Sequence, residues 1–419
     1  MYCFDAPQQN PNTNHGFVGN ALKAKINDID HINCEAGDED SFFVCDLGLV
    51  KRAHQIWTEM LPMVQPHYAV KCNTDSRIIS TLANLGCNFD CASKAEIESV
   101  LLQGISANRI VYANPCKTNS FIRFAKTVDV NLTTVDNCNE LHKMKQFHPE
   151  CGILIRLATD DESAQCRLST KFGCTVESAV DELLPLAQEL GLPIVGVAFH
   201  VGSGAKDFGS IYKAVQDARM VFDIGHQLGF KMNILDIGGG FEVETFEESS
   251  AMVRMSLEKF FPNENEQVKF IAEPGRFMVS NAFTLATHVI AKRDLPRHFV
   301  TDDIENGVKA MIYINDGVYG NLNCILFDHQ HPIAHVLTHR DNFYYNGNDA
   351  HGKGKHGFSI WGPTCDGLDC VSVRSELGFD VDVGDWLYFP NLGAYTSAAT
   401  TSFNGFKAVA DVIYVDSTL

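Results

Sequence analysis

From Leu47 to about Val279 the chain repeats one pattern: a short apolar run, a polar or glycine-bearing end, then a window of helical character. The runs are Tyr68–Val70, Ile110–Tyr112, Ile153–Leu157, Val195–Phe199, Ile234–Ile237 and Phe270–Ala272. Helical windows cover Val50–Met60, Asp75–Leu85, Lys94–Gln103, Val180–Leu190 (with a kink expected at Pro185) and Asp207–Leu228. Parallel strands need a crossover of a dozen or more residues, which a helix normally supplies. The pattern therefore predicts a parallel α/β sheet. A closed (β/α)8 barrel and an open doubly wound sheet share these local signals.

After about Phe283 the pattern changes. Strand-like runs such as Met311–Ile314, Asp385–Phe389 and Ala408–Val415 follow one another with glycine-rich turns between them, as in an all-β domain. Ser41–Asp46 reads as a strand, and the polar residues 1–35 as a loose start. Asn346–His356 is a flexible loop by composition.

Composition narrows the function. A net charge of −19 argues against nucleic acid as a partner and is compatible with a cationic small substrate. There is no apolar stretch long enough for a membrane span, and the N-terminus lacks the pattern of a signal peptide. The 14 cysteines are scattered with no C-x-x-C pair, so reduced thiols in a cytoplasmic protein are expected rather than disulfides or zinc. Asp328-His329-Gln330-His331 is too thin to imply a metal, and none is expected.

The chemistry is concentrated at the ends of the apolar runs. Lys71 closes Tyr68-Ala69-Val70, where apolar packing of its stem would favour the neutral amine that attacks an aldehyde. Many strand-end lysines are simply solvated, so the signal gains weight only from its neighbours. Val195–Phe199 leads into His200-Val201-Gly202-Ser203-Gly204, Ile234–Ile237 into Gly238-Gly239-Gly240, and Phe270–Ala272 into Glu273-Pro274-Gly275-Arg276. Glycines there let backbone N–H groups approach a phosphate closely. None of the three is a dinucleotide fingerprint, and the G-x-G-x-x-G spacing from Gly352 to Gly357 has no strand before it. Three anion-ready ends in sequence suggest one phosphate at one end of a barrel.

These segments carry a resemblance. YAVKCN (68–73), FDCASKAEI (89–97), YANPCK (112–117), RLATDD (156–161), HVGSG, DIGGGF, EPGRF, NDGVYG (315–320), WGPTCDGLD (361–369) and LGAYT (392–396) resemble the eukaryotic ornithine decarboxylase family. These are barrel-type pyridoxal-phosphate decarboxylases related to alanine racemase. The resemblance runs from about Phe42 to Phe406. It implies a (β/α)8 TIM-like barrel plus a C-terminal all-β domain that includes the N-terminal strand. The expected boundaries are 1–46, 47–282 for the cofactor-binding barrel and 283–419 for the β domain with the Cys365 loop.

The resemblance also implies roles. Lys71 is the Schiff-base lysine for pyridoxal 5'-phosphate. Ser203, Gly238, Gly239, Gly240, Gly275, Arg276 and Tyr395 match phosphate-binding positions. Glu273 matches the carboxylate beside the pyridine nitrogen, a placement that favours decarboxylation over racemisation. On the bare sequence it could equally be a strand-end ion-pair partner of Arg276. His200 matches the ring that stacks on the cofactor, and Asp90 and Arg156 match cofactor-proximal positions. Cys365 matches the acid that protonates Cα, and Phe327, Asp328 and Asp366 match substrate-binding positions. A homodimer with shared active sites is implied, with Lys171 and Asp369 as an interface ion pair. Decarboxylation of ornithine to putrescine is the expected reaction. A decarboxylase of lysine, arginine or diaminopimelate and a non-catalytic regulator resembling antizyme inhibitor are the alternatives. The segment matching the family's antizyme-binding region, Lys117–Lys143, mixes Arg123, Lys126 and Lys143 with Asp129, Asp136 and Glu140, and leaves antizyme binding open.

Overall fold

The computed structural model describes residues 16–159, 169–202, 208–262, 267–296, 307–340, 342–346, 355–407 and 410–418. Two compact units result. One is Lys51–Met278; the other joins the chain up to Val50 with the chain from Val279 onward. The first strand, β1 (Phe42–Asp46), belongs to the second of these units.

The unit Lys51–Met278 is a closed parallel barrel of β2 (Val64–Ala69), β3 (Asn88–Cys91), β4 (Ile110–Tyr112), β5 (Leu132–Val135), β6 (Gly152–Leu157), β7 (Ile194–Phe199), β8 (Ile234–Asp236) and β9 (Lys269–Ala272). Closure is made where β2 pairs with both β3 and β9. Runs such as the Val-Ala-Phe end of β7 are buried residue after residue, because sheet and helices cover both faces. Val111, Leu154 and Ala198 share one apolar cluster that links β4, β6 and β7.

Local caps start the helices. Asp75 accepts from the N–H groups of Arg77 and Ile78 and opens Ser76–Asn84. Ser93 accepts from Glu96 N, and Glu96 Oε2 accepts from Ala92 N at 2.6 Å, which fixes the turn into Lys94–Leu101 just after β3. Pro185 sits in the first turn of Leu184–Leu190, and the strain expected there is taken up one step earlier by a π turn, Ala179–Leu183.

The β unit is built around one long strand, β10 (Phe283–Asp294). Its first half lies between β1, antiparallel, and β17 (Trp386–Phe389). Its second half pairs with β11 (Val308–Ile314) after a register shift between Val289 and Ala291. Short strands β12 (His335–Val336), β13 (Thr338–His339) and β14 (Asn342–Phe343) precede β15 (His356–Trp361) and β16 (Cys370–Leu377), which extend the sheet beyond β11. The last strand, β18 (Asp411–Val415), runs parallel to β1.

The loose start expected for residues 1–35 is corrected from Gly16 onward. Gly16–Asn27 is a helix, and its Leu22 and Ile26 are buried against Phe42, Val44 and Trp386. Val18, Leu22 and Ile26 recur every fourth residue, so one narrow apolar stripe supports a helix in a polar segment. Burying each large aliphatic side chain contributes roughly 1.5–3 kcal/mol.

Candidate active site

Lys71 does not close a strand. β2 ends at Ala69, and Lys71 is the middle residue of a single 3-10 turn, Val70–Cys72. Its Nζ donates to Asp90 Oδ2 at 2.5 Å, while its own side chain stays 40% exposed. Ala69 and Asp90 are register partners on β2 and β3, which is how two residues distant in sequence meet. The setting of the amine is thus a buried carboxylate, not the apolar packing expected from the sequence. Asp90 Oδ1 has no hydrogen-bond partner among the described residues, although it is buried.

The other barrel ends converge by close backbone contact. Gly238 and Gly240 have φ of +68° and +95°, and a Cβ on either would lie 2.2 Å from the carbonyl oxygen of Phe199 or Gly202. A Cβ on Gly239 would lie 2.8 Å from His200 Nε2 and 2.7 Å from the Glu273 carbonyl oxygen. The glycines therefore let the ends of β7, β8 and β9 pack together, and no other residue fits there. Gly275 would likewise press on Cys72 beside the lysine turn, its Cβ 2.9 Å from that of Cys72.

His200 accepts from Gly202 N at its Nδ1 (3.0 Å), so its ring proton sits on Nε2. Burial, with Arg156 and Lys71 nearby, holds its pKa well below the ordinary histidine value, so the ring is neutral. Glu273 is buried and its pKa is pushed well above the ordinary glutamate value, first by burial and then by the charges of Asp236 and Asp90. Lys71 and Arg156 pull it the other way. Burial also raises Asp236, which is hydrogen-bonded to Glu273. Arg276 opens the short helix Arg276–Val279, and its carboxylate neighbour is Glu242 at 3.6 Å rather than Glu273. Arg156, on β6, lies 5.2 Å from the centre of the Phe172 ring. Ser203 lies outside the described residues.

The remaining expected site residues belong to the β unit. Cys365 is exposed, and its N–H donates to Asn404 Oδ1 at 3.0 Å. Asp366 is held by Tyr319 Oη (2.6 Å) and by Leu368 N (3.0 Å), and these bonds keep its pKa below the usual carboxylate value. Asp328 ends the short helix Cys324–Phe327; it is 7% exposed, whereas Phe327 is 62% exposed. Tyr395 has a positive φ of 53°, a strained conformation for a bulky side chain.

Several supporting roles were not read from the sequence. Asn323 is buried and its Nδ2 donates to Gly320 O (2.6 Å) and Thr396 O (2.7 Å), tying the Tyr395 turn to the segment that carries Asp328. Asp369 is 1% exposed and accepts from Val318 N, Thr364 N and Thr364 Oγ1, so it pins the Cys365 loop within its own unit. Asp316 accepts from Ser41, Gly317 and Asn321 and fixes the start of the same region. Buried loops need such internal partners for their polar groups. The NDGVYG and GLD motifs were visible, but not which of their side chains hold the loop.

The barrel end offers a primary amine, a buried carboxylate with an elevated pKa, a neutral histidine and a glycine cradle flanked by an arginine. That donor set suits pyridoxal phosphate: an amine for its aldehyde, a carboxylate for its ring nitrogen and N–H groups for its phosphate. Fold and site together define a barrel-type pyridoxal-phosphate enzyme.

The comparisons narrow this class. Residues 47–280 match the family described as "Pyridoxal-dependent decarboxylase, pyridoxal binding domain". Ornithine decarboxylase of Candida albicans is 58% identical, with 96% of this chain and 88% of the relative covered. Antizyme inhibitor 2 of Xenopus laevis is 45% identical, with 94% and 84% covered. Among solved structures, the arginine decarboxylase of Paramecium bursaria Chlorella virus bound to agmatine matches with a TM-score of 0.83 at 34% identity, covering 96% of this chain and all (100%) of the other. The chain belongs to the ornithine decarboxylase family of pyridoxal-dependent decarboxylases.

Proposed function

We propose that the chain decarboxylates L-ornithine to putrescine and carbon dioxide, a step of polyamine synthesis. The observation that carries this reading is the pairing of Lys71 with buried Asp90 at a barrel end that also holds Glu273. When bound, pyridoxal phosphate supplies an aldehyde that condenses with amines and a ring that accepts the electron pair left behind as carbon dioxide departs.

Lys71 is the amine that holds the aldehyde between turnovers, and Asp90 orients it. Glu273 is the partner of the ring nitrogen: a protonated ring would stabilise its charged form against the burial that now raises its pKa. His200, neutral and fixed by Gly202, offers a flat face to the ring. The Gly238–Gly240 turn, Gly275, Arg276, Ser203 and Tyr395 bind phosphate, and Arg156 supports the group from β6. Cys365 delivers the proton to Cα. Asp328 and Asp366 grip the distal ammonium, with Phe327 lining the pocket. Two carboxylates suit a diamino acid, because a desolvated ammonium without a partner is costly. A non-catalytic regulator would have no use for this residue set, all of which is present.

A homodimer with shared sites is part of the proposal. Its support is exposed apolar surface on the β unit: Phe327, Leu368, Phe403 and Phe406 are each more than two-fifths exposed, at 62%, 66%, 42% and 45%. Lys171 is exposed, as an interface cation must be. We assign its ion pair to the partner subunit's Asp369. Because Asp369 also pins its own loop, the charge test belongs at Lys171. Among the described residues no helix is long and apolar enough to cross a membrane, and none of the twelve described cysteines is in a disulfide. A cytoplasmic location is part of the proposal.

The test is carbon dioxide release from ornithine, lysine and arginine with added pyridoxal phosphate. Ornithine is expected to give the highest kcat/KM, and Asp328→Ala to raise KM and lower kcat for it. More efficient turnover of lysine or arginine by the native chain overturns the substrate assignment. Tyr319→Phe removes the hydroxyl that holds Asp366 and is expected to raise KM for ornithine several-fold, roughly the loss of one charge-assisted bond, with a smaller change in kcat. An unchanged KM would mean that Asp366 needs no such anchor.

A further inference from the structure

The β unit holds a second group of chemistry-bearing side chains, outside the decarboxylase machinery. We infer that His31, Glu39 and His288 form a binding site for a divalent transition-metal ion, with zinc the ion their donor set suits best.

The geometry is built rather than incidental. His31 Nδ1 lies 2.6 Å from Glu39 Oε1, and Glu39 Oε1 lies 3.9 Å from His288 Nδ1. One donor atom from each residue falls within 4.8 Å of the other two. Tetrahedral zinc with bonds of about 2.0–2.1 Å sets its donors roughly 3.3 Å apart, so small shifts of the partly exposed His31 and Glu39 side chains toward His288 close the set. Two imidazoles and a carboxylate form a mixed nitrogen and oxygen set that suits zinc and its transition-metal neighbours better than calcium or magnesium.

His288 supplies the independent observation. It is 7% exposed, yet neither ring nitrogen has a hydrogen-bond partner among the described residues. A buried imidazole with both nitrogens unbonded costs stability unless a ligand compensates. Its ring stacks on Trp386 at 4.9 Å and 17°, which fixes the direction of both nitrogens, and His31 stands over it at 5.3 Å.

The backbone beneath the site is also locked. Asn315 accepts from His288 N (2.8 Å) and donates to Glu39 O (2.6 Å), so one side chain sets the spacing of two ligands. Asp30 accepts from the N–H groups of Ile32 and Asn33 and shapes the turn that carries His31. His31 borders an open cleft that Trp386 and Asp385 also line, which gives an ion a path in. A bound ion would tie the segment between the first helix and β1 to β10.

The test uses the full-length enzyme loaded with pyridoxal phosphate, treated with chelator and titrated with zinc chloride by calorimetry. Cobalt(II) is the second probe, read by quenching of Trp386 fluorescence. About one zinc per chain is expected to bind tightly, and cobalt(II) to quench part of the emission. His31→Ala and Glu39→Gln are each expected to weaken zinc binding at least about tenfold and to remove the quenching. Both positions are partly exposed, so the variants are expected to fold and to keep native decarboxylase activity in the absence of zinc. Zinc binding of native strength in both variants would place the ion elsewhere, on thiols such as exposed Cys365 or Cys116, and would overturn the assignment. Absence of binding to the native enzyme below about 100 μM would overturn it as well.

Discussion

Replacing Lys71 with alanine is expected to lower turnover of ornithine by at least about three orders of magnitude, the usual scale for losing a covalent catalyst. The same variant should lose the near-visible absorbance of the bound cofactor. In the native enzyme, borohydride should leave a pyridoxyl group on the peptide containing Lys71, and peptide mapping by mass spectrometry reads the position. The structure sharpens the expectation. Lys71 Nζ is 2.5 Å from Asp90, so Asp90→Asn should reduce labelling at Lys71 without moving it to another lysine. Lys117 is a buried amine of the barrel, but it is spent on Glu140 and on the carbonyl oxygens of Asn114 and Thr134. A label on Lys117, or on any lysine but Lys71, would overturn the assignment of the central residue.

Mixing two inactive variants is expected to restore activity. Lys71→Ala and Cys365→Ala homodimers should each be nearly inert. After subunit exchange, random pairing makes half of the dimers hybrid, and each hybrid has one site with both native residues. Recovery of about a quarter of native activity follows from two-fold symmetry alone. The lysine sits in the barrel unit and the cysteine on an exposed loop of the β unit, so the two lesions fall on separate halves of the proposed site. The check is carbon dioxide release, with exchange verified by native mass spectrometry on tagged subunits. Continued inactivity after proven exchange would show that each chain builds its own complete site.

What could be read without coordinates was whatever left a periodic or punctuated trace. β4, β7 and β9 appear as apolar runs, and the glycines after β8 announce a backbone too crowded for a side chain. Other elements left weaker traces. β5, Leu132–Val135, has Thr133 and Thr134 where a reader looks for aliphatic residues; both are buried, and Thr133 Oγ1 donates to the carbonyl oxygen of Tyr112. The helix Gly16–Asn27 is hidden by its polar majority and is stabilised by an apolar cluster that includes Phe42, Val44 and Trp386. The site shows the same division. Lys71, His200 and Glu273 stand beside strong strand signals. The work of Asn323 and Asp369 depends on hydrogen bonds to residues that no spacing rule connects. The His31, Glu39 and His288 group is beyond any motif search, because its third member comes from the far side of the barrel sequence.

The pairing of β1 with β10 also sets an order of events during synthesis. Phe42 and Ala286 are register partners, and the whole barrel is translated between them. At about 5–20 residues per second the ribosome needs on the order of tens of seconds to deliver the second strand after the first. The barrel is one contiguous stretch and can collapse as it emerges. The Phe-Phe-Val-Cys run of β1 meanwhile has neither of its sheet neighbours and presents a bare, apolar edge, the kind of surface that nucleates misassembly. Recoverable yield in the cell should therefore depend on how quickly β10 follows this short segment.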